Sequence, residues 1–182
     1  NTRNGVQLCF YPGKAFVSNT TVSGNSTGLM ITSNGRIVNS KADLQYGPAL
    51  RLRKNQIGAK VDLTIIPSKD NSALWGRQDR VAALISGRDH EIILRRQGEL
   101  GPNRSSLPVI IGNRGKGHNI TLRNETGLPV VLTENSRNCR VITNGAIEDK
   151  GKKNKIKKIK ASYLRFLRKS VFFMLRIFSL LF

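Results

Sequence analysis

Short apolar runs, separated by turn residues, make up the first 149 residues of the chain. These runs alternate with polar positions and end at Gly, Asn or Pro, and no long helical period occurs among them. The pattern predicts strands at 6–11, 28–32, 36–38, 49–52, 60–66, 80–85, 91–95, 107–111, 119–123, 129–132 and 139–143. Short strands at this spacing are typical of an all-β fold, so we expect a single antiparallel sandwich, or a barrel or trefoil.

Two Asn-Gly pairs predict tight hairpins within this pattern. Asn34-Gly35 and Asn144-Gly145 each lie between apolar residues, and Asn-Gly readily takes the positive φ values of a two-residue hairpin turn. The phrases around them, 30–37 and 141–147, resemble each other. They are either two independent hairpins or two copies of an internal repeat, as in a threefold trefoil.

The charge of the chain is unevenly distributed. The chain has 182 residues, with 31 Lys+Arg and 11 Asp+Glu, a formal net charge of +20 and a pI near 11.0. Residues 1–149 carry all the acids and a net charge of +9, whereas residues 150–182 carry +11 and no acid. The composition changes at the same point. We therefore expect a β-rich domain at 1–149 and a basic, partly amphipathic helical tail at 150–182.

The tail combines a lysine-rich run at 150–160 with a largely apolar stretch at 161–182 that contains neither Gly nor Pro. The apolar run 170–182 is too short to span a bilayer, which needs about 20 residues. Three interpretations remain open. The tail is an interfacial helix in anionic lipid, a packing helix whose lysines neutralise nucleic acid, or a terminus with no role.

The two cysteines, Cys9 and Cys139, fall in the first and last predicted strands. In an exported protein a disulfide between them would stabilise the body by about 4–5 kcal/mol. The alternative is two buried thiols that behave as small hydrophobic side chains. An excess of glycosylation sequons favours the exported alternative, because about two are expected by chance and five occur, at Asn19, Asn25, Asn103, Asn119 and Asn124.

The residues that usually carry catalysis are sparse. His90 and His118 are each interpreted as surface histidines, since no nucleophile motif of the Gly-x-Ser-x-Gly type accompanies them. The histidines and cysteines do not have the spacing of a zinc site. The Gly-rich basic segment 112–118 precedes a strand-like sequence, which favours a hairpin connection over a phosphate-binding loop. We expect no enzymatic activity, no metal and no cofactor.

One segment carries a resemblance to a known family. Residues 60–75, KVDLTIIPSKDNSALW, resemble a strand and loop of the Dr-like and aggregative-adherence fimbrial adhesins of enterobacteria. The resemblance implies an immunoglobulin-like sandwich that assembles into surface fibres by donor-strand exchange and binds host glycoproteins or matrix.

These observations predict a non-enzymatic, exported surface-binding module of adhesin or fibre-subunit type. Its expected partner is an anionic surface, namely an acidic glycan, a glycoprotein or a lipid headgroup, and self-assembly is also open. The alternative is a nucleic-acid-binding structural protein of ribosomal or viral-coat type, in a ribonucleoprotein particle or virion. The candidate contacts form two body patches, Arg51, Arg53, Lys54, Lys60 and Arg95, Arg96, Arg104, Arg114, Lys116, Arg123, and a tail group, Lys152, Lys153, Lys155, Lys157, Lys158, Lys160.

Overall fold

A computed structural model provides the structure of the chain. It describes residues 4–8, 15–24, 27–31, 35–44, 47–67, 80–113 and 115–159. Within these ranges the chain forms short β-strands and a single one-turn helix, α1 (Pro102–Ser105). Every strand pair recorded there is parallel, and the strands belong to three sheets.

Each sheet takes one strand from successive layers of the chain. Sheet A contains β1 (Asn4–Leu8), β4 (Thr27–Ile31), β6 (Leu50–Leu52), β8 (Ala83–Ile85), β11 (Val109–Ile111), β14 (Val130–Leu132) and β17 (Ile147–Asp149). Sheet B contains β2 (Ala15–Ser18), β5 (Gly35–Asp43), β7 (Lys60–Ile66), β10 (Glu91–Arg96), β13 (Thr121–Asn124), β16 (Arg140–Thr143) and β18 (Lys155–Lys158), with β3 (Thr21–Val22) also paired to β5. Sheet C contains β9 (Gly87–Arg88), β12 (Gly117–His118) and β15 (Ser136–Arg137).

The order of these strands describes a parallel β-solenoid. The chain passes from sheet A to sheet B, through sheet C in the middle layers, and then returns to sheet A one layer further along. We number the layers coil 1 (β1, β2) to coil 7 (β17, β18). The expected antiparallel sandwich, barrel or trefoil is therefore wrong. The reason is that a solenoid strand buries one face and exposes the other, so it shows the same two-residue alternation as a strand of an antiparallel sandwich.

The two predicted hairpins are wrong for the same reason. Strands β4 and β5, on either side of the first Asn-Gly pair, lie in different sheets, and so do β16 and β17 around the second. Asn34 itself lies outside the described residues. At the second pair the chain turns a corner between sheets. Gly145 is required there because a Cβ at this position would overlap the carbonyl oxygen of Leu128.

The core is a set of side-chain stacks that run through the layers. In sheet B, Val61, Ile92, Leu122 and Val141 occupy the same register position in successive strands and are buried. In sheet A the equivalent stack consists of Leu50, Ala83, Val109 and Val130. Each coil buries its apolar side chains mainly against the coils above and below it, as expected of a solenoid.

The lysine-rich run is part of this solenoid as far as residue 159. Strand β18 pairs with β16 in register, Arg140 with Lys155 and Ile142 with Lys157. The amide of Ile159 donates to the carbonyl of Thr143 at 2.9 Å. Residues 160–182, where the amphipathic helix is predicted, lie outside the described residues.

Candidate polyanion-binding surface

Five successive coils make the same tight corner where the chain enters sheet B. The corner residue has a positive φ in each coil, between 52° and 67°: Gly58, Asp89, Asn119, Asn138 and Lys153. Asn and Asp tolerate this left-handed conformation better than most residues. The amide of each of the first four corner residues donates to a carbonyl of the next coil at 3.0–3.1 Å. This ladder holds the neighbouring side chains in strict register.

Two rows of surface positions, all exposed except the half-buried His118, flank the corner ladder. The residues one position before the corner are Ile57, Arg88, His118, Arg137 and Lys152. The residues two positions after it, at the start of each sheet B strand, are Lys60, Glu91, Thr121, Arg140 and Lys155. Both rows contain mixed residue types in coils 3 to 5 and consist only of Lys and Arg in coils 6 and 7.

We call the basic end of these rows the cationic strip: Arg137, Arg140, Lys152, Lys153, Lys155, Lys157 and Lys158. All seven residues are exposed. Among the described residues no ion pair joins any of them to an acid. The nearest acid in sequence, Asp149, instead accepts hydrogen bonds from the Gly151 amide and the Asn154 side chain, each at 2.8 Å.

The outer surface of sheet B in coils 3 to 5 is different, and we call it the paired face: Lys60, Asp62, Glu91, Arg95, Arg123 and Glu125. Lys60 Nζ lies 3.3 Å from a Glu91 oxygen. Arg95 contacts both Asp62 and Glu125, and Arg123 contacts Glu125. Three cations therefore meet three acids, and this part of the sheet carries no net charge.

The residues of each body patch predicted from sequence lie on different elements of the structure. In the first, Arg51 is half-buried on the outer surface of sheet A, Arg53 and Lys54 follow β6, and Lys60 begins β7 in sheet B. In the second, Arg104 is buried, Lys116 precedes β12 in sheet C, and Arg95, Arg96 and Arg123 lie in sheet B. Arg114 lies outside the described residues.

The tail group is brought together with two residues that sequence reasoning missed. Lys152, Lys153, Lys155, Lys157 and Lys158 all belong to the cationic strip, whereas Lys160 lies outside the described residues. Arg137 and Arg140 complete the strip from the preceding coil. A sequence signal for them exists in the similarity of residues 136–140, SRNCR, to residues 151–155, GKKNK. The unequal lengths of the other coils conceal this repeat.

The predicted disulfide is wrong with respect to Cys139, which is a buried free thiol. Its Sγ lies 3.2 Å from the carbonyl oxygen of Gly117, to which it donates, and burial raises the pKa of the thiol. Cys9 lies outside the described residues. The alternative of a small hydrophobic side chain describes Cys139, which packs below the corner in coil 6.

His90 was expected on the surface but is only 1% exposed. The Ala59 amide donates to Nδ1 at 3.0 Å, and Nε2 lies 3.0 Å from the carbonyl oxygen of Ser86. Nδ1 accepts and Nε2 donates only in the neutral ring. Burial lowers the pKa of His90, although the hydrogen bond to Ser86 and the charge of Asp89 oppose this effect. His90 thus links coils 3 and 4 as a structural residue.

The sequons have a structural explanation. Asn19 and Asn119 occupy positive-φ positions, which accounts for Asn at these sites. Asn124 is fully buried, and its amide donates to the Leu128 carbonyl at 2.9 Å and to Thr143 Oγ1 at 3.1 Å. A sugar on Asn124 is incompatible with the folded chain. Asn25 and the side chain of Asn103 lie outside what the structure describes.

Other kinds of site are not evident in the described part of the chain. No group of three or more His, Cys, Asp or Glu side chains there is arranged to hold a metal ion. None of the described residues forms a helix long and apolar enough to cross a membrane.

Comparison with known proteins adds no functional assignment. Neither a known protein family nor a curated protein sequence matches the chain. The fold that the adhesin resemblance implies is not the one observed. The strand portion of the resembling segment is β7, but it pairs in parallel with β5 and β10. Residues 68–75 of that segment lie outside the described residues.

Proposed function

We propose that this protein is a non-enzymatic binding module that holds an acidic polysaccharide against the cationic strip. The observation that carries the proposal is that no ion pair forms at the strip within the described part of the chain, in contrast to the balanced charges of the paired face. Like charges placed opposite one another on neighbouring strands destabilise a sheet. A polyanion that neutralises them regains this energy on binding.

The rigidity of the strip supports a polymer partner. Its side chains are attached to strands β16 and β18 and to the corner ladder, so their backbone positions are fixed before binding. Preorganisation reduces the entropy lost on association. A flexible lysine-rich arm would bind any polyanion, whereas a fixed array favours polymers whose charges match its spacing.

The aromatic content favours a polysaccharide over single-stranded nucleic acid. Proteins that bind single strands stack the bases on aromatic side chains. Among the described residues the only Phe, Tyr or Trp is Phe16, in coil 1. The strip therefore has no stacking platform among these residues, and its contacts with a ligand would be electrostatic. Duplex nucleic acid remains the main competing ligand and is included in the test.

The proposal is tested by measuring the affinity of the full chain for a heparin oligosaccharide at several salt concentrations. Arg137→Gln/Arg140→Gln removes two cations from the strip. We expect a lower affinity and a slope of log K against log salt that is smaller in magnitude by about two. Arg95→Gln/Arg123→Gln removes the same net charge from the paired face and is the matched control. Its slope should remain near that of the unmodified chain.

Three outcomes contradict the proposal. Equal losses in the two double variants would mean that net charge alone determines binding. Undetectable binding of heparin at low salt would refute the proposed polysaccharide-binding function. Tighter binding of duplex DNA than of heparin at the same salt concentration would reassign the strip to nucleic acid.

A further inference from the structure

The cations of the strip occur in pairs that span two coils. Arg137 is in register with Lys152, and Arg140 is in register with Lys155. Neighbouring strands of a sheet are about 4.8 Å apart, which sets the separation of the two attachment points in each pair. The two pairs are three residues apart along the chain, a distance of at most about 10 Å.

This arrangement defines a grid with a short and a long spacing. The short spacing, between coils, lies along the solenoid axis. The long spacing, between pairs, runs around the corner at Asn138 from sheet C into sheet B, and Lys157 extends the grid two residues further along β18. The corner residue Lys153 adds a charge between the two pairs on the coil 7 side. Residues 135–147 and 150–159 contain no acid, and the nearby Asp149 carboxylate is hydrogen-bonded to the Gly151 amide and the Asn154 side chain.

From this grid we infer that the partner is a densely charged, polysulfated polysaccharide that runs around the corner between sheets C and B, across the solenoid axis. Each repeat of such a polymer presents two or more anionic groups, which neutralise both members of a cation pair. A polymer with one carboxylate in each disaccharide neutralises only one member and leaves the other facing a like charge. The inference rests on the proposed function and specifies the charge density of its ligand.

The experiment compares heparin with hyaluronan oligosaccharides of equal length, binding to the full chain at one fixed salt concentration. Each heparin disaccharide carries several sulfate groups in addition to one carboxylate, whereas each hyaluronan disaccharide carries a single carboxylate and no sulfate. We expect heparin to bind at least about tenfold more tightly. A series of partially desulfated heparins should lose affinity more steeply than in proportion to the charge removed, because each lost sulfate leaves one pair half neutralised.

Two double variants of equal charge separate pairing from total charge. Arg137→Gln/Lys155→Gln breaks both pairs, whereas Arg137→Gln/Lys152→Gln removes one pair and leaves Arg140 and Lys155 intact. We expect the first variant to lose most of its preference for heparin over hyaluronan and the second to retain part of it. Circular dichroism of both variants checks that coil 7 remains folded.

The possible failures of the inference and of the proposed function are distinguishable. Equal affinity for hyaluronan and heparin would overturn the inference of dense charge while leaving polysaccharide binding in place. Identical preference in the two double variants would overturn the role of pairing. If the chain binds neither heparin nor hyaluronan, the proposed function itself is refuted.

Discussion

The paired face and the cationic strip lie on the same solenoid and are built from the same kind of strand. In the paired face, acids occur at the positions that let Lys60, Arg95 and Arg123 form ion pairs. In the cationic strip the positions in register with Lys60 and Glu91 are Arg140 and Lys155, and neither β16 nor β18 contains an acid. The fold does not require this difference, because the backbone hydrogen bonds are alike in both regions. The contrast separates charges that balance one another within the molecule from charges left available to a partner.

The largest effect is expected from glycines that close the coils in each region. Gly87→Val places a side chain against the Gln56 carbonyl in the middle of the solenoid, at a φ of 103°, and should lower the free energy of unfolding by about 3 kcal/mol. Gly151→Val overlaps Ser136 at the end of the solenoid. It should open coil 7 and abolish heparin binding with little change in the melting of the other coils.

Thermal denaturation followed by circular dichroism, together with heparin binding, measures both effects. Full heparin affinity in folded Gly151→Val protein would contradict the assignment of binding to coil 7. Gly58→Ala separates backbone strain from steric overlap, because no atom lies within 4 Å of the position of its Cβ but its φ is 67°, so we expect a loss of only about 1–2 kcal/mol in the free energy of unfolding.

The second prediction is that acidic pH lowers the free energy of unfolding, because His90 links coils 3 and 4 in the neutral form. Burial lowers the pKa of His90 below its ordinary value of 6.5, so the folded chain binds this proton less tightly than the unfolded chain. The contribution of His90 to stability should be constant above about pH 6.5 and should fall as the pH decreases from there towards the lower pKa of the folded state. Urea denaturation from pH 7.5 to pH 5 measures the effect. His90→Gln should show a smaller decrease, and an unchanged pH dependence would contradict the prediction.

The third prediction converts part of the paired face into a cationic surface. Glu125→Gln removes the acid shared by Arg95 and Arg123. The Arg123 guanidinium then becomes available to a ligand, whereas Arg95 keeps its ion pair with Asp62, and we expect heparin affinity to rise by a factor of about two to five. Isothermal titration calorimetry against the unmodified chain measures the change. Glu148→Gln, which removes an acid paired only with Lys150, is the control with the same change in charge.

The smallest expected effect is on stability in the absence of ligand. Lys155→Gln relieves the repulsion between Lys155 and Arg140 and should raise the free energy of unfolding by about 0.2–1 kcal/mol at low salt. Lys60→Gln removes an exposed ion pair and should lower it by up to about 1 kcal/mol. Both effects should diminish in 1 M salt. Changes of the same sign in the two variants would contradict the distinction between the two regions.

The strands themselves were largely predictable from the sequence, but their arrangement was not. The alternation in 60–66 predicts β7 as observed, because one face of the strand is buried and the other is solvated. The same alternation gives no information on whether the neighbouring strand is parallel. Asn-Gly served as evidence for hairpins, although in this solenoid the second pair turns a corner between sheets.

The cationic strip was predictable only in part. Its lysines stand out as a run in the sequence, whereas Arg137 and Arg140 become their neighbours only through the stacking of coil 6 on coil 7. Arg104 is an error in the opposite direction. Its charge predicts a place in a surface patch, but the fold buries it. His90 was likewise misplaced, because one histidine among polar neighbours gives no indication of burial.

Among the described strands β18 lies at the end of sheet B, and this position has a consequence for aggregation. A strand at the end of a sheet offers its backbone to other chains, and here the core position Ile156 is also 41% exposed. Lys155, Lys157 and Lys158 surround this position and repel the corresponding end of a second molecule. Lysines on edge strands are a common protection against edge-to-edge association. Salt or a bound polyanion would neutralise that protection, so the charge that we propose as the ligand-binding site also keeps the ends of two solenoids apart when no ligand is bound.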